Sequence, residues 1–290
     1  MVRSGRHDIG VYLDLGGALA ADETAAVTDA IAGRLSTTGD YIAPAAARPK
    51  YEEWIRERFG PALETLGLPG DARDSDERQS RRGTLLALVG VTGNDPGYQK
   101  RARELAGKYI ADRASLPGTL APTVLRVAAI SGDAALYDEY VAQVGKLAAD
   151  PEEYYRFFNA LPLFRHPALV KRTLDFAISP AVRTQDTGTL IAGLLGRAWG
   201  RDAAWEFTKA NWPTLTQKLG TFQGIPTIIG ALSAFCSTEK AGEVRQFFAK
   251  NPVPSAERTL QQSLERIENC AALVRRQSPV LTTWLTTTVR

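Results

Sequence analysis

Histidine is nearly missing from this chain of 290 residues, His7 and His166 being the whole supply. A catalytic zinc takes about three protein ligands, commonly including paired histidines on one helix face, and no H-E-x-x-H occurs. His166 stands directly before Pro167 and reads as a helix-start residue. Cysteine is equally scarce. Cys236 and Cys270 lie far apart without C-x-x-C spacing, which indicates neither a zinc knuckle nor a disulfide framework and leaves two buried thiols as the expectation. No apolar run approaches the ~20 residues needed to span a bilayer, and no basic and apolar leader opens the chain. A soluble chain is expected, compatible with the cytoplasm. Met1-Val2-Arg3-Ser4-Gly5 reads as the start of a fragment, so the parent's compartment stays open.

The usual nucleotide cradles, G-x-G-x-x-G and G-x-x-x-x-G-K-[ST], are absent, as is the G-x-S-x-G elbow of hydrolases. Thirty-five basic and 32 acidic residues are spread without a long run of either sign, which argues against nucleic acid or an anionic membrane as the main partner. Strand signals are also scarce. Ile9 to Leu15 alternates only loosely, and no Asn-Gly or Asp-Gly turn joins two β-rich runs.

What is present is helical periodicity, dominant from about residue 49 onward and weakest over residues 1–48, where helices are expected near 17–21 and 23–35. Asp95-Pro96 places an N-cap before a first-turn proline, and Tyr98, Ala102, Leu105 and Tyr109 follow at spacings of four, three and four. Asp133 restarts the pattern ahead of Leu136, Tyr140, Val144 and Leu147. Asp150-Pro151 opens a short helix with Tyr154, Phe157 and Phe158, and Ser179-Pro180 punctuates again. Leu260, Leu264, Ile267, Ala271 and Val274 mark a long helix near the end. Gly67-Leu68-Pro69-Gly70-Asp71 is the expected mobile loop, followed by a charged run from Asp74 to Arg82 that reads as a solvated helix start. Glu52-Glu53 and Glu152-Glu153 read as first-turn acids that favour the helix dipole.

The starts at Asp95 and Asp133 lie 38 residues apart, and Asp202 follows 69 residues beyond. Helix pairs at about this period predict an all-α fold, a superhelical array of antiparallel pairs of the HEAT or armadillo kind occupying residues 1–290 as one helical-repeat domain.

One segment carries more than periodicity. Gly200-Arg201-Asp202-Ala203-Ala204-Trp205-Glu206-Phe207-Thr208-Lys209-Ala210-Asn211-Trp212 resembles a pattern in the C-terminal helical domain of the aminopeptidase N-like zinc aminopeptidases, a group that includes the endoplasmic reticulum aminopeptidases. Thr189 to Arg197, Phe235 to Lys240, Glu243 to Phe248, Thr259 to Glu268 and Thr283-Trp284-Leu285 match in the same order, while Leu273 departs where many relatives carry tryptophan. Within the strongest segment, Asp202 is placed to cap a helix, and Trp205, Thr208 and Trp212 form a stripe that, with Phe207, reads as core.

The resemblance implies a bowl-shaped domain that closes over a separate, zinc-containing catalytic domain of the same polypeptide and encloses the peptide substrate. No catalytic or metal-binding residue is expected in this chain, and its zinc ligands, general base and G-x-M-E-N motif would all lie elsewhere in the parent. By the same resemblance Arg197 matches an arginine that in some relatives binds a peptide's C-terminal carboxylate, and Arg183 and Gln185 match a recurrent segment as further substrate-binding candidates. The alternative is a free-standing helical-repeat scaffold that binds peptides or proteins.

Overall fold

The computed structural model describes residue 2 and residues 5–71, 73–220 and 224–288; Met1, Arg3 and Ser4 of the supposed fragment start lie outside these. Helix is the only regular secondary structure among the described residues, so the all-α expectation holds. The chain divides into two compact units, Met1–Ser131 with Leu273–Arg290, and Gly132–Ala272.

The first unit holds α1 (Ile9–Ala18), α2 (Ala25–Thr37), α3 (Arg48–Leu66), α4 (Asp76–Ala87), α5 (Pro96–Ala111) and α6 (Ala121–Ile130). Single π-helical turns, Thr38–Ile42 and Leu88–Thr92, extend α2 and α4. The start of α5 follows the sequence: Pro96 needs no helical donor, and the Asp95 carboxylate accepts from the Tyr98 backbone N–H at 2.9 Å. Tyr98, Ala102, Leu105 and Tyr109 are all buried, and α5 packs along α6. Ile9 to Leu15 lies within α1, so the helix expected near 17–21 starts eight residues earlier. This Ala- and Gly-rich stretch offers little amphipathic contrast by which to place it.

Two further expectations fail here. Glu52 and Glu53 lie inside α3 rather than in its first turn. The charged run is only partly solvated: Arg81 and Arg82 are buried, with Arg82 1% exposed. The Arg82 guanidinium donates to the Leu66 and Gly67 carbonyls at 3.0 and 2.9 Å and pairs with Asp74. The Gly67–Asp71 loop is thus tied at its root instead of hanging free. Gly67 and Gly70 take positive φ there, of 71° and 89°, where a side chain would be strained.

The second unit contains α7 (Ala134–Lys146), α8 (Pro151–Phe158), α9 (Pro167–Ile178), α10 (Thr184–Leu195), α11 (Arg201–Ala210), α12 (Trp212–Leu219), α13 (Gly224–Ala231) and α14 (Thr238–Lys250). The last helix, α15 (Glu257–Thr288), gives its first half to this unit and its second half to the first unit. Asp133, Asp150 and His166 cap α7, α8 and α9 through their side chains, as their positions ahead of Ala134, Pro151 and Pro167 lead one to expect. Asp202 does not cap α11; Gly200 occupies that position, and Asp202 pairs with Lys240 at 3.3 Å.

Around α10 the core is apolar and dense, with α9 and α13 packed on it and Leu190, Ile191, Leu194, Ile228 and Ile229 buried. Trp205 and Trp212 are buried against Phe247 and Phe248 at ring separations of 5.2 to 6.3 Å, so the tryptophan stripe is core. The two cysteines are not free thiols. Cys236 and Cys270 form a disulfide whose Cα atoms are 5.0 Å apart, a closure across 34 residues.

Candidate functional site

Helix α10 carries the three candidate residues on its flanks. Arg183 is its N-cap residue, Gln185 lies in its first turn, and Arg197 follows two positions after its last residue. Twelve residues at ~1.5 Å rise make this helix about 18 Å long, so Arg183 and Gln185 are held at one end and Arg197 at the other. They form two separate places.

At the first end, the exposed Arg183 lies over the Tyr154 ring, 5.0 Å from its centre, and donates to the Ala148 carbonyl. The buried Asp186 accepts from the Tyr155 hydroxyl at 2.9 Å and from Tyr154 at 3.4 Å, and Gln185 bonds the same Tyr155 hydroxyl. Burial and then the Asp186 charge push the Tyr154 phenol up to about 12. These groups join α8 to α10, and their polar atoms are turned toward one another.

At the other end, Arg197 shares an indole with a residue that the sequence did not single out. The Arg165 guanidinium lies 4.6 Å from the centre of the Trp199 ring and that of Arg197 lies 5.8 Å from it. Trp199 is held by its own donor, the indole N–H to the Pro162 carbonyl at 3.3 Å, and α10 packs on the turn Leu161–Leu163 that leads to Arg165. Among the described residues Arg197 makes no ion pair. A guanidinium group beside an aromatic ring suits an incoming carboxylate, which it can meet with parallel N–H donors. Arg165 escaped the sequence reading because it lies 32 positions from Arg197; an Arg-His-Pro helix start gives no hint of the distant partner.

A second ionic cluster in this unit is centred on α14. Glu243 on α14 accepts from the Trp205 indole at 2.8 Å, from Lys240 at 3.0 Å and from Lys209. Burial alone would raise its pKa; the donors Lys209, Lys240 and Trp205 outweigh that and hold it down to about 2. Among the described residues no group of three or more His, Cys, Asp or Glu side chains could hold a metal ion, and no helix is long and apolar enough to cross a membrane.

The structure thus presents an all-helical chain that bears an arginine pair and a disulfide. Residues 1–269 match the ERAP1-like C-terminal domain, and the chain belongs to that family. It is 33% identical over 195 residues to aminopeptidase M1 of Arabidopsis thaliana, covering 64% of this chain and 21% of that protein. Over 249 residues it is 25% identical to the mitochondrial aminopeptidase 2 of Saccharomyces cerevisiae, covering 83% of this chain and 26% of the relative. Endoplasmic reticulum aminopeptidase 2 of Bos taurus is 25% identical over 246 residues, 82% of this chain and 25% of the relative. The chain thus spans about a quarter of the length of these relatives.

Proposed function

We propose that this chain is the substrate-enclosing C-terminal domain of a zinc metallo-aminopeptidase, non-catalytic in itself, and that it binds the far end of the peptide through Arg197 and Arg165. The observation that carries this reading is the pair of guanidinium groups beside Trp199, one of them without an acidic partner among the described residues. A peptide being shortened from its N-terminus always ends in a carboxylate, and two arginines would recognise that group whatever the sequence before it. Helix pairs stacked as a HEAT-like solenoid would supply the wall on which such a peptide lies. The zinc of such an enzyme would activate water on a catalytic domain of the same polypeptide; among the described residues of this chain no ligand set is assembled, and their part would be to bind and orient.

Calorimetric titration of the chain with ~10-residue peptides, each made as the free acid and as the C-terminal amide, tests the reading. The acid should bind roughly tenfold to a hundredfold more tightly, the value of a charge-assisted pair. Arg197→Ala and Arg165→Ala should each erase most of the difference. Equal binding of acid and amide would refute the carboxylate role. In the full-length enzyme, Arg197→Ala should weaken turnover of long free-acid peptides and spare aminoacyl anilides; an equal loss on both would place Arg197 outside substrate recognition.

A further inference from the structure

A polar cleft of about 360 Å³ opens in the first unit between the starts of α2 and α4. Thr24 and Ser75, the N-cap residues of the two helices, stand at its sides, and Leu66 lies in its wall. The cleft shares no residue with the site at α10. Four charged side chains line it: Glu23, Glu77, Arg78 and Arg81.

Two of the four are already engaged. Glu77 accepts from the Ala25 backbone N–H at 3.3 Å, one of the donors that the first turn of α2 leaves open. Arg78 pairs with Asp74 at 3.0 Å and donates to the Thr65 carbonyl at 3.4 Å. The other two are not so committed. Arg81 is 6% exposed and makes a single long hydrogen bond, from Nε to the Thr28 hydroxyl at 3.4 Å, and no ion pair among the described residues. Asp22 feels the Arg81 charge, but the Thr24 N–H, which it accepts at 2.8 Å, is what chiefly holds its carboxyl below the usual range; Arg81 is the least of the causes. Glu23 is exposed and has neither a hydrogen bond nor an ion pair among the described residues.

A guanidinium has five N–H donors and a full charge, so burying it with one weak acceptor is costly, and an anion that enters the cleft relieves that cost. A plain anion would also face the Glu23 and Glu77 carboxylates. The lining is matched instead by a small ligand that carries both signs. We propose that this cleft binds a free α-amino acid, with its carboxylate on Arg81 and its ammonium on Glu23. The guanidinium meets the carboxylate through parallel N–H bonds, and Glu23 accepts from the ammonium. At ~30 Å³ per water in the liquid, the cleft has room for an amino acid of ordinary size. On the reading proposed above, peptide shortening releases one such molecule per turnover; the binding itself does not depend on that reading.

The test is a calorimetric titration of the chain with L-alanine, L-alanine amide and N-acetyl-L-alanine, of which the second lacks the carboxylate and the third the ammonium. L-Alanine should bind with a Kd of about 1 mM or below, and each derivative at least about tenfold more weakly. No saturable heat with L-alanine, or a derivative bound as tightly as the parent, would overturn the proposal. Glu23→Gln changes an exposed side chain and should weaken L-alanine about tenfold without weakening N-acetyl-L-alanine. An undiminished affinity for L-alanine in that variant would reject the two-charge site. Arg81→Met keeps the buried stem and should abolish binding; circular dichroism checks that it folds, and Glu23→Gln carries the test if it does not. Arg197→Ala should leave L-alanine binding as it was, so this site and the peptide-carboxylate site fail separately. Loss of binding in Arg197→Ala would move the amino acid to α10 and strike this cleft.

Discussion

Gly188 on α10 meets Gly224 at the start of α13 so closely that a Cβ on Gly188 would lie 2.8 Å from the Gly224 carbonyl oxygen and 3.1 Å from its Cα. Ordinarily, alanine in place of a helical glycine stabilises by up to about 1 kcal/mol. Here the added methyl meets backbone that cannot swing aside as a side chain can, so one helix must move off the other. Gly188→Ala is expected to cost about 1–3 kcal/mol net. A urea titration followed by circular dichroism measures it, and an unchanged or raised midpoint would contradict the packing described.

Glu243 gives the second unit a dependence on acid. Its pKa lies at about 2 in the fold, below the usual carboxylate value, so its ion pairs stabilise the native state fully above about pH 4.5 and are lost as pH falls toward 2. Glu243 is a third exposed and its partners are partly hydrated, so the contribution is expected to be about 1 kcal/mol rather than the full equivalent of the shift. Glu243→Gln should lower the melting temperature at pH 7 and flatten its fall between pH 4.5 and 2. Parallel curves for the two proteins over that window would speak against it.

Arg82 should be among the least replaceable charged residues of the first unit. Its removal leaves the Leu66 and Gly67 carbonyls without their donor and Asp74 without its partner, at a cost of about 3 kcal/mol. Lysine carries the charge but lacks the fork that reaches two carbonyls and a carboxylate together, so Arg82→Lys should recover less than half of the loss. Proteolysis offers a local readout, since cleavage within residues 67–74 should quicken in Arg82→Ala. A loop no more susceptible than before would mean that the guanidinium does not tie it down.

Tyr154 provides a test at high pH. Because burial and the Asp186 charge keep its phenol protonated to about pH 12, its contribution to stability is complete below about pH 10 and is lost between 10 and 12. Asp186→Asn removes the charge and keeps a polar side chain of the same shape. An absorbance titration, with Tyr154→Phe to identify the signal, should show the phenol ionising at lower pH in the variant. A titration that does not move would assign the shift to burial alone.

Much of the helical framework was legible because its signals are local. An N-cap acts on a donor two or three residues ahead and a first-turn proline acts on its own position, so Asp95, Asp133, Asp150 and His166 announce their helices within four residues. Buried charge was not legible. Arg82 sits in a run of polar residues, and its acceptors are backbone carbonyls that any sequence would supply. The cysteine pair and the Arg165–Trp199 contact depend on segments more than 30 residues apart, a relation that single-residue chemistry cannot express. Family resemblance pointed to Arg197; the second guanidinium emerged only once α10 and the turn before α9 were placed together.

The division of α15 between the two units orders events in time. Residues 132–272 are an insertion within the first unit, whose remaining piece, Leu273–Arg290, is synthesised after them. Until then, the Ile9 backbone N–H has no Gln277 to receive it, Asp14 has no Trp284 indole, and Trp54 lacks the ring that meets it edge-on at 5.3 Å. A ribosome moving along this message therefore releases the inserted unit's whole sequence before the surrounding one can close, and a premature stop after Ala272 spares the inserted unit while leaving the first unfinished.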